Sequence, residues 1–110
     1  MEVLFVPEKV RRALSTHRVL EKDWGKIGAK KIALRLQQLA AAPTLADMRQ
    51  LPGRCHELTG DRRGHLAVDV EHPYRLVFRP TVEPGPKKPD GGLDWTRVDS
   101  VIVIEIVDYH

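Results

Sequence analysis

Two neighbouring segments of the chain alternate apolar and polar positions with a period of two. Leu66, Val68 and Val70 interleave with Ala67 and Asp69, and Tyr74, Leu76 and Phe78 interleave with Arg75, Val77 and Arg79. This predicts two half-buried strands joined by a tight turn at His72-Pro73. Residues 98–107 read differently. Val101 to Ile104, then Ile106 and Val107, are apolar at both parities, which predicts a central strand buried on both faces. It delivers Asp108, Tyr109 and His110 to the rim of the sheet. The short apolar run Val3-Leu4-Phe5-Val6 predicts a further strand covered on both faces.

Between these strands the period changes to that of a helix. Pro7 and Glu8 suit a first helical turn, where proline forfeits no hydrogen bond and an acid complements the dipole. Val10, Ala13, Leu14 and His17 fall at i, i+3, i+4 and i+7, one stripe of one helix, with Lys9, Arg11, Arg12 and Arg18 around it. Residues 19–24 either end that helix or connect it to the next. The second helix has a continuous apolar face of Ala29, Ile32, Ala33, Leu36, Leu39 and Ala40, with Lys30, Lys31, Arg35, Gln37 and Gln38 largely opposite. Gly25 and Gly28 weaken its start by about 1 kcal/mol each where they are helical. Ala41-Ala42-Pro43 ends it, and Thr44 can cap one further turn over residues 45–48. Leu51-Pro52-Gly53 is a breaker. Residues 80–97 contain four prolines and three glycines, a loop that forms no ladder and in which Trp95 folds back to find cover. The order strand, helix, helix, strands predicts an α+β domain spanning residues 1–110. Two N-terminal helices pack on one face of a mainly antiparallel sheet of about four to five strands.

A chain of 110 residues supports one hydrophobic core. The net charge of +3 mildly favours an acidic or nucleic-acid partner. The single cysteine excludes an internal disulfide and a four-thiolate metal site. No stretch reads as a signal peptide or reaches membrane-spanning length, so the expected location is the cytoplasm. The candidate chemistry is concentrated in residues 54–79, which hold three of the five histidines and five arginines. Histidine titrates near neutral pH and arginine binds phosphate through a planar fork, so an anionic substrate suits this surface.

These residues also carry a resemblance. The run Leu51-Pro52-Gly53-Arg54-Cys55-His56-Glu57-Leu58-Thr59-Gly60-Asp61-Arg62-Arg63-Gly64, the strand Tyr74-Arg75-Leu76-Val77-Phe78 and the end Asp108-Tyr109-His110 together resemble the HigB killer-protein toxins. Those toxins belong to the RelE/ParE superfamily of toxin–antitoxin systems. The resemblance spans the chain except for the insertion at 80–97. It implies a ribosome-dependent endoribonuclease that cuts mRNA in the ribosomal A site. It implies partners in the ribosome, mRNA and a cognate HigA-like antitoxin with a helix-turn-helix, and it implies no metal, no small-molecule cofactor and no membrane. Thr59 stands where such toxins often carry a lysine.

Metal-free RNA cleavage needs a base for the 2′-hydroxyl, an acid for the leaving 5′-oxygen and cations for the phosphorane. His56 and His110 are the candidate proton carriers. Asp108 can orient a histidine or act as a base. Arg75 and Arg62 can hold phosphate through charge-assisted forks, with Arg63 and Arg79 as further substrate contacts. Tyr109 can stack on a base or donate a hydrogen bond. Each has a plainer alternative: a fraying terminus for His110, solvated turn residues for Arg62 and Arg63, and an ion pair with Asp69 or Glu71 for Arg75. Cys55 reads as a small apolar residue, His17 as a histidine at the core edge and His72 as part of a turn. The rival function is a catalytically degenerate or non-nuclease toxin of the same fold that binds another target, such as gyrase. The antitoxin half of such a system usually carries a helix-turn-helix, and none is legible here.

Overall fold

The computed structural model describes residues 1–108, so the expectations placed on Tyr109 and His110 lie outside the described residues. The elements in order are β1 (Glu2–Phe5), α1 (Glu8–Ala13), α2 (His17–Ala41), β2 (His56–Glu57), β3 (Leu66–Asp69), β4 (Tyr74–Pro80) and β5 (Ser100–Asp108), with short 3₁₀ turns at Leu45–Gln50, Gly60–Arg62 and Trp95–Arg97. The five strands form one sheet in the order β1-β5-β4-β3-β2. Only β1 and β5 run parallel, and the remaining neighbours are antiparallel. The expected α+β architecture is the observed one.

The helices cover one face. Ala29, Ile32 and Leu39 of α2 join Leu66, Val68, Leu76, Phe78, Val101 and Val103 in a single core. Consecutive side chains on a strand point to opposite faces, so β3 and β4 and the first half of β5 give alternate residues to this core. β5 lies inside the sheet, between β1 and β4. It buries Val101, Ile102 and Val103, but residues 104–107 are only half-buried, so the predicted burial on both faces holds for its first half alone. A bulge sits in the β4–β5 ladder, where Val77 pairs with Glu105 but Phe78 pairs with Val103. Ile104 is the extra residue, and such insertions sharpen the local twist.

Several expectations change. The stripe through His17 belongs to two helices. α1 stops at Ala13, Thr16 is extended, and its hydroxyl caps α2 by accepting from the Val19 N–H at 3.2 Å. His17 is therefore exposed, with Nε2 3.1 Å from Glu21. Residues 19–24 are helical and belong to α2, which kinks at Gly25 (φ +76°). Glycine reaches that region without the Cβ penalty of other residues. β1 is an edge strand with Leu4 39 % exposed, so it is not covered on both faces. Arg35, placed on the solvent side by periodicity, is buried at 8 % exposure. Pro80 closes β4 instead of opening the loop, and Lys87 and Leu93 form one isolated bridge inside residues 80–97. The hairpin strands are more than half-buried at their middle, since Ala67 and Val77 are fully buried on the face away from the core.

Candidate functional site

The face opposite the helices is built in rows. Cross-strand pairing sets His56, Ala67, Val77 and Glu105 side by side over four strands, and sets Asp69, Arg75 and Val107 in the next row on that face. Adjacent strands lie about 4.8 Å apart, so the first row spans about 14 Å. Its middle is the two apolar residues and its ends are polar, which makes a floor with chemical walls. Above it lies a cleft of about 550 Å³. His56, Arg62, Arg75 and Asp108 line it, together with Glu57, Thr59, Asp61 and Val107. Four of the predicted site residues, far apart in sequence, thus meet at one place. Arg63 and Arg79 do not join them. They line a neighbouring cleft with residues of the 80–97 insertion.

Asp69 organises the cationic side of the cleft. Its Oδ1 accepts from Arg75 Nε at 3.0 Å and its Oδ2 from Arg54 Nε at 2.7 Å. The Asp69 backbone is held too: its carbonyl accepts from Arg35 Nε at 2.8 Å, and its N–H donates to the Gly53 carbonyl at 2.7 Å. This explains the burial of Arg35, whose guanidinium also bonds Gln38 at 3.1 Å. Gly53 has φ +109°, and a Cβ there would lie 2.7 Å from Val68 Cγ2 and 2.8 Å from Arg35 Nε. Only glycine lets the chain pass so close while adopting that φ. Of the two acids weighed as Arg75 partners, the structure selects Asp69.

His56 Nδ1 lies 2.6 Å from the Arg54 carbonyl oxygen. A carbonyl can only accept, which assigns the hydrogen to Nδ1. The neutral ring then has a basic Nε2, the form a general base requires. Arg62, on the 3₁₀ turn Gly60–Arg62, bonds the Glu105 carboxylate. The Glu57 carboxylate accepts from Trp95 Nε1 at 3.0 Å, and the Arg49 guanidinium lies 4.1 Å over the same indole. The expected cover for Trp95 is therefore real, and the ring is 5 % exposed. Cys55 packs against the core, and burial pushes its thiol up to about 12, so it is no nucleophile near neutral pH. The buried Nδ1 of His65 has no hydrogen-bond partner among the described residues. Among the described residues no group of three or more His, Cys, Asp or Glu side chains is placed to hold a metal ion, and no helix is long and apolar enough to cross a membrane.

The sequence reading missed Glu105, Arg54 and Arg35, and offered Asp69 only as an ion-pair partner for Arg75. Glu105 left a signal, being the single polar residue among positions 101–107. Arg35 left none, because a buried arginine on a helix has the same spacing as an exposed one.

Comparison with family models gives no match, and comparison with curated proteins gives none. Solved structures do match. The YoeB/ParE toxin from Agrobacterium tumefaciens superposes with a TM-score of 0.59 at 13 % identity over the whole of both chains. The YoeB–YefM complex from Staphylococcus aureus gives 0.57 at 15 % identity, covering this chain fully and 97 % of the other. The YoeB dimer from Staphylococcus aureus gives 0.54 at 17 %. The long helix and five-stranded mixed sheet of this chain are therefore the fold of the YoeB/ParE toxins.

Proposed function

We propose that this protein is the toxin of a type II toxin–antitoxin pair, of HigB type within the RelE/ParE superfamily, and that it cuts mRNA on the ribosome. The observation that carries the proposal is the meeting of His56, Arg62, Arg75 and Asp108 in one cleft on the open face of a toxin fold. In this reading His56 takes the 2′-hydroxyl proton through Nε2. Arg75, aligned by Asp69, and Arg62 stabilise the phosphorane. Asp108 orients or assists a proton carrier, and Tyr109 and His110, which follow it in sequence, supply base stacking and the acid. The reaction uses no metal or other cofactor. The partners are the ribosome, mRNA and an antitoxin. Neighbouring folds occur in YoeB–YefM toxin–antitoxin complexes, which supports an antitoxin partner, and the sequence resemblance favours a HigA-like one. The site of action is then the cytoplasm.

One observation favours a second reading. Both guanidiniums of the cleft are already bonded to carboxylates, and Thr59 places no cation there. A toxin of this fold that acts by binding another target, such as gyrase, would tolerate that arrangement. The two readings separate on induced expression in bacterial cells without antitoxin, with transcript 5′ ends mapped. The nuclease reading expects growth arrest with new ends inside translated regions, lost in Arg75→Ala, His56→Ala and His110→Ala. Arrest without new ends would sink it and leave the binding reading.

A further inference from the structure

We propose that the 80–97 insertion builds a second subsite, continuous with the first cleft, that grips the phosphate backbone of single-stranded RNA beyond the reacting phosphate. The proposal rests on the nuclease reading above. Its basis is that the insertion is a folded flap. Thr81 N–H donates to the Ser100 carbonyl at 3.0 Å, Lys88 N–H to Gly92 at 2.7 Å and Asp94 N–H to Pro86 at 2.8 Å. Gly85 lies so close to Leu93 that a Cβ would sit 2.7 Å from its Cδ1. Asp94 caps the final 3₁₀ turn through Thr96, whose hydroxyl holds its carboxyl below the ordinary range. Trp95 then pins the flap to β2 through Glu57.

Between this flap and β4 lies a cleft of about 260 Å³ lined by the cations Arg63, Arg79 and Lys87 and the carboxylates of Glu57 and Glu83. Glu57 is held by Trp95, and Glu83 lies beside Arg79. Three features join it to the first cleft. Glu57 lines both. The consecutive residues Arg62 and Arg63 line one cleft each. Arg75 and Arg79 share a face of β4 and are four residues apart, about 13 Å at the rise of a strand. Arg79 is oriented by its own neighbours, with Nη1 3.0 Å from the Pro80 carbonyl and 3.6 Å from Glu83. Arg63 and Lys87 are exposed and make no ion pair among the described residues, so their charge is available to a phosphate. An extended polyanion leaving the first cleft along β4 runs into these three cations, and phosphate contacts of this kind bind without regard to sequence.

The test is binding of non-cleavable 2′-O-methyl RNA of two and of eight nucleotides to the full chain, measured by fluorescence anisotropy over a range of salt. Wild type is compared with Arg63→Ala/Lys87→Ala, with Arg75→Ala and with Lys26→Ala on the outer helix. Arg63 and Lys87 are exposed, so thermal unfolding of the double variant should match wild type. The proposal expects the double variant to bind the dinucleotide as wild type does but the octamer several-fold more weakly. The slope of log affinity against log salt should become shallower by about 1.4, at about 0.7 per lost phosphate contact. An octamer affinity that depends on Arg75 but is unmoved in the double variant overturns the subsite and leaves the first cleft standing. Absence of octamer binding by wild type overturns the subsite, while the ribosome-dependent reading stands or falls on the mapped transcript ends. An oligoglutamate peptide of matched charge that binds as tightly and is lost in the double variant overturns the RNA assignment in favour of an acidic protein segment.

Discussion

The two faces of the sheet are made by the same strands and behave as different materials. On β4, Leu76 and Phe78 enter the core under the helices, while Arg75, Val77 and Arg79 form the other surface. On β3, Leu66 and Val68 face the helices, and Ala67 and Asp69 face away. A shift of one residue in register would exchange the two sets. The helix side is apolar packing apart from the buried Arg35 guanidinium, whereas the open side holds charges in a geometry that backbone and side-chain bonds dictate. Stability and chemistry are thus separated by side-chain parity, and substitution on one face should leave the other property largely intact.

The strongest challenge to that separation is Phe78→Ala. It removes a fully buried ring and should lower unfolding free energy by about 3–5 kcal/mol in urea titration. A loss below about 1 kcal/mol would mean the core is not organised around that face. Next is Gly53→Ala, which strikes the joint between the faces. The positive φ and the clash with Val68 and Arg35 should cost roughly 1–3 kcal/mol and, under the proposed function, weaken growth arrest by disturbing Asp69. An unchanged midpoint would contradict the close approach.

Arg75→Ala should separate the properties most cleanly. Its ion pair with Asp69 is partly exposed, at 24 % and 27 % for the two side chains, and such pairs contribute at most about 1 kcal/mol. The urea midpoint should barely move, while the growth arrest that the proposed toxin function expects should disappear. A large loss of stability would make Arg75 structural instead. The smallest effect concerns Cys55. Its folded thiol titrates near 12 against an ordinary 9.0 because burial disfavours the thiolate. The unfolded chain therefore loses its proton first as pH rises. The contribution is fully present below pH 9 and is lost between about pH 9 and 12. Native protein should react with a thiol reagent at pH 8 well below the rate of the unfolded chain, and Cys55→Ala should flatten the alkaline fall in stability. Labelling of the native protein as fast as that of the unfolded chain would contradict the raised thiol.

The sequence by itself determined the element types, the hairpin, the centrality of the last strand and the cluster of histidines and arginines. Those follow from periodicity and local chemistry, which act over a few residues. It also put His56, Arg62, Arg75 and Asp108 forward as candidates, but it could not bring them together. Their meeting depends on the order β1-β5-β4-β3-β2, which brings β2, the turn after it, β4 and the end of β5 around one cleft. Tertiary structure alone separated Arg63 from Arg62, buried Arg35 against the Asp69 carbonyl and turned a proline-rich stretch into a pinned flap. The physical reason is that these outcomes depend on which backbone group or carboxylate lies across a contact between distant segments, and local spacing carries no record of that.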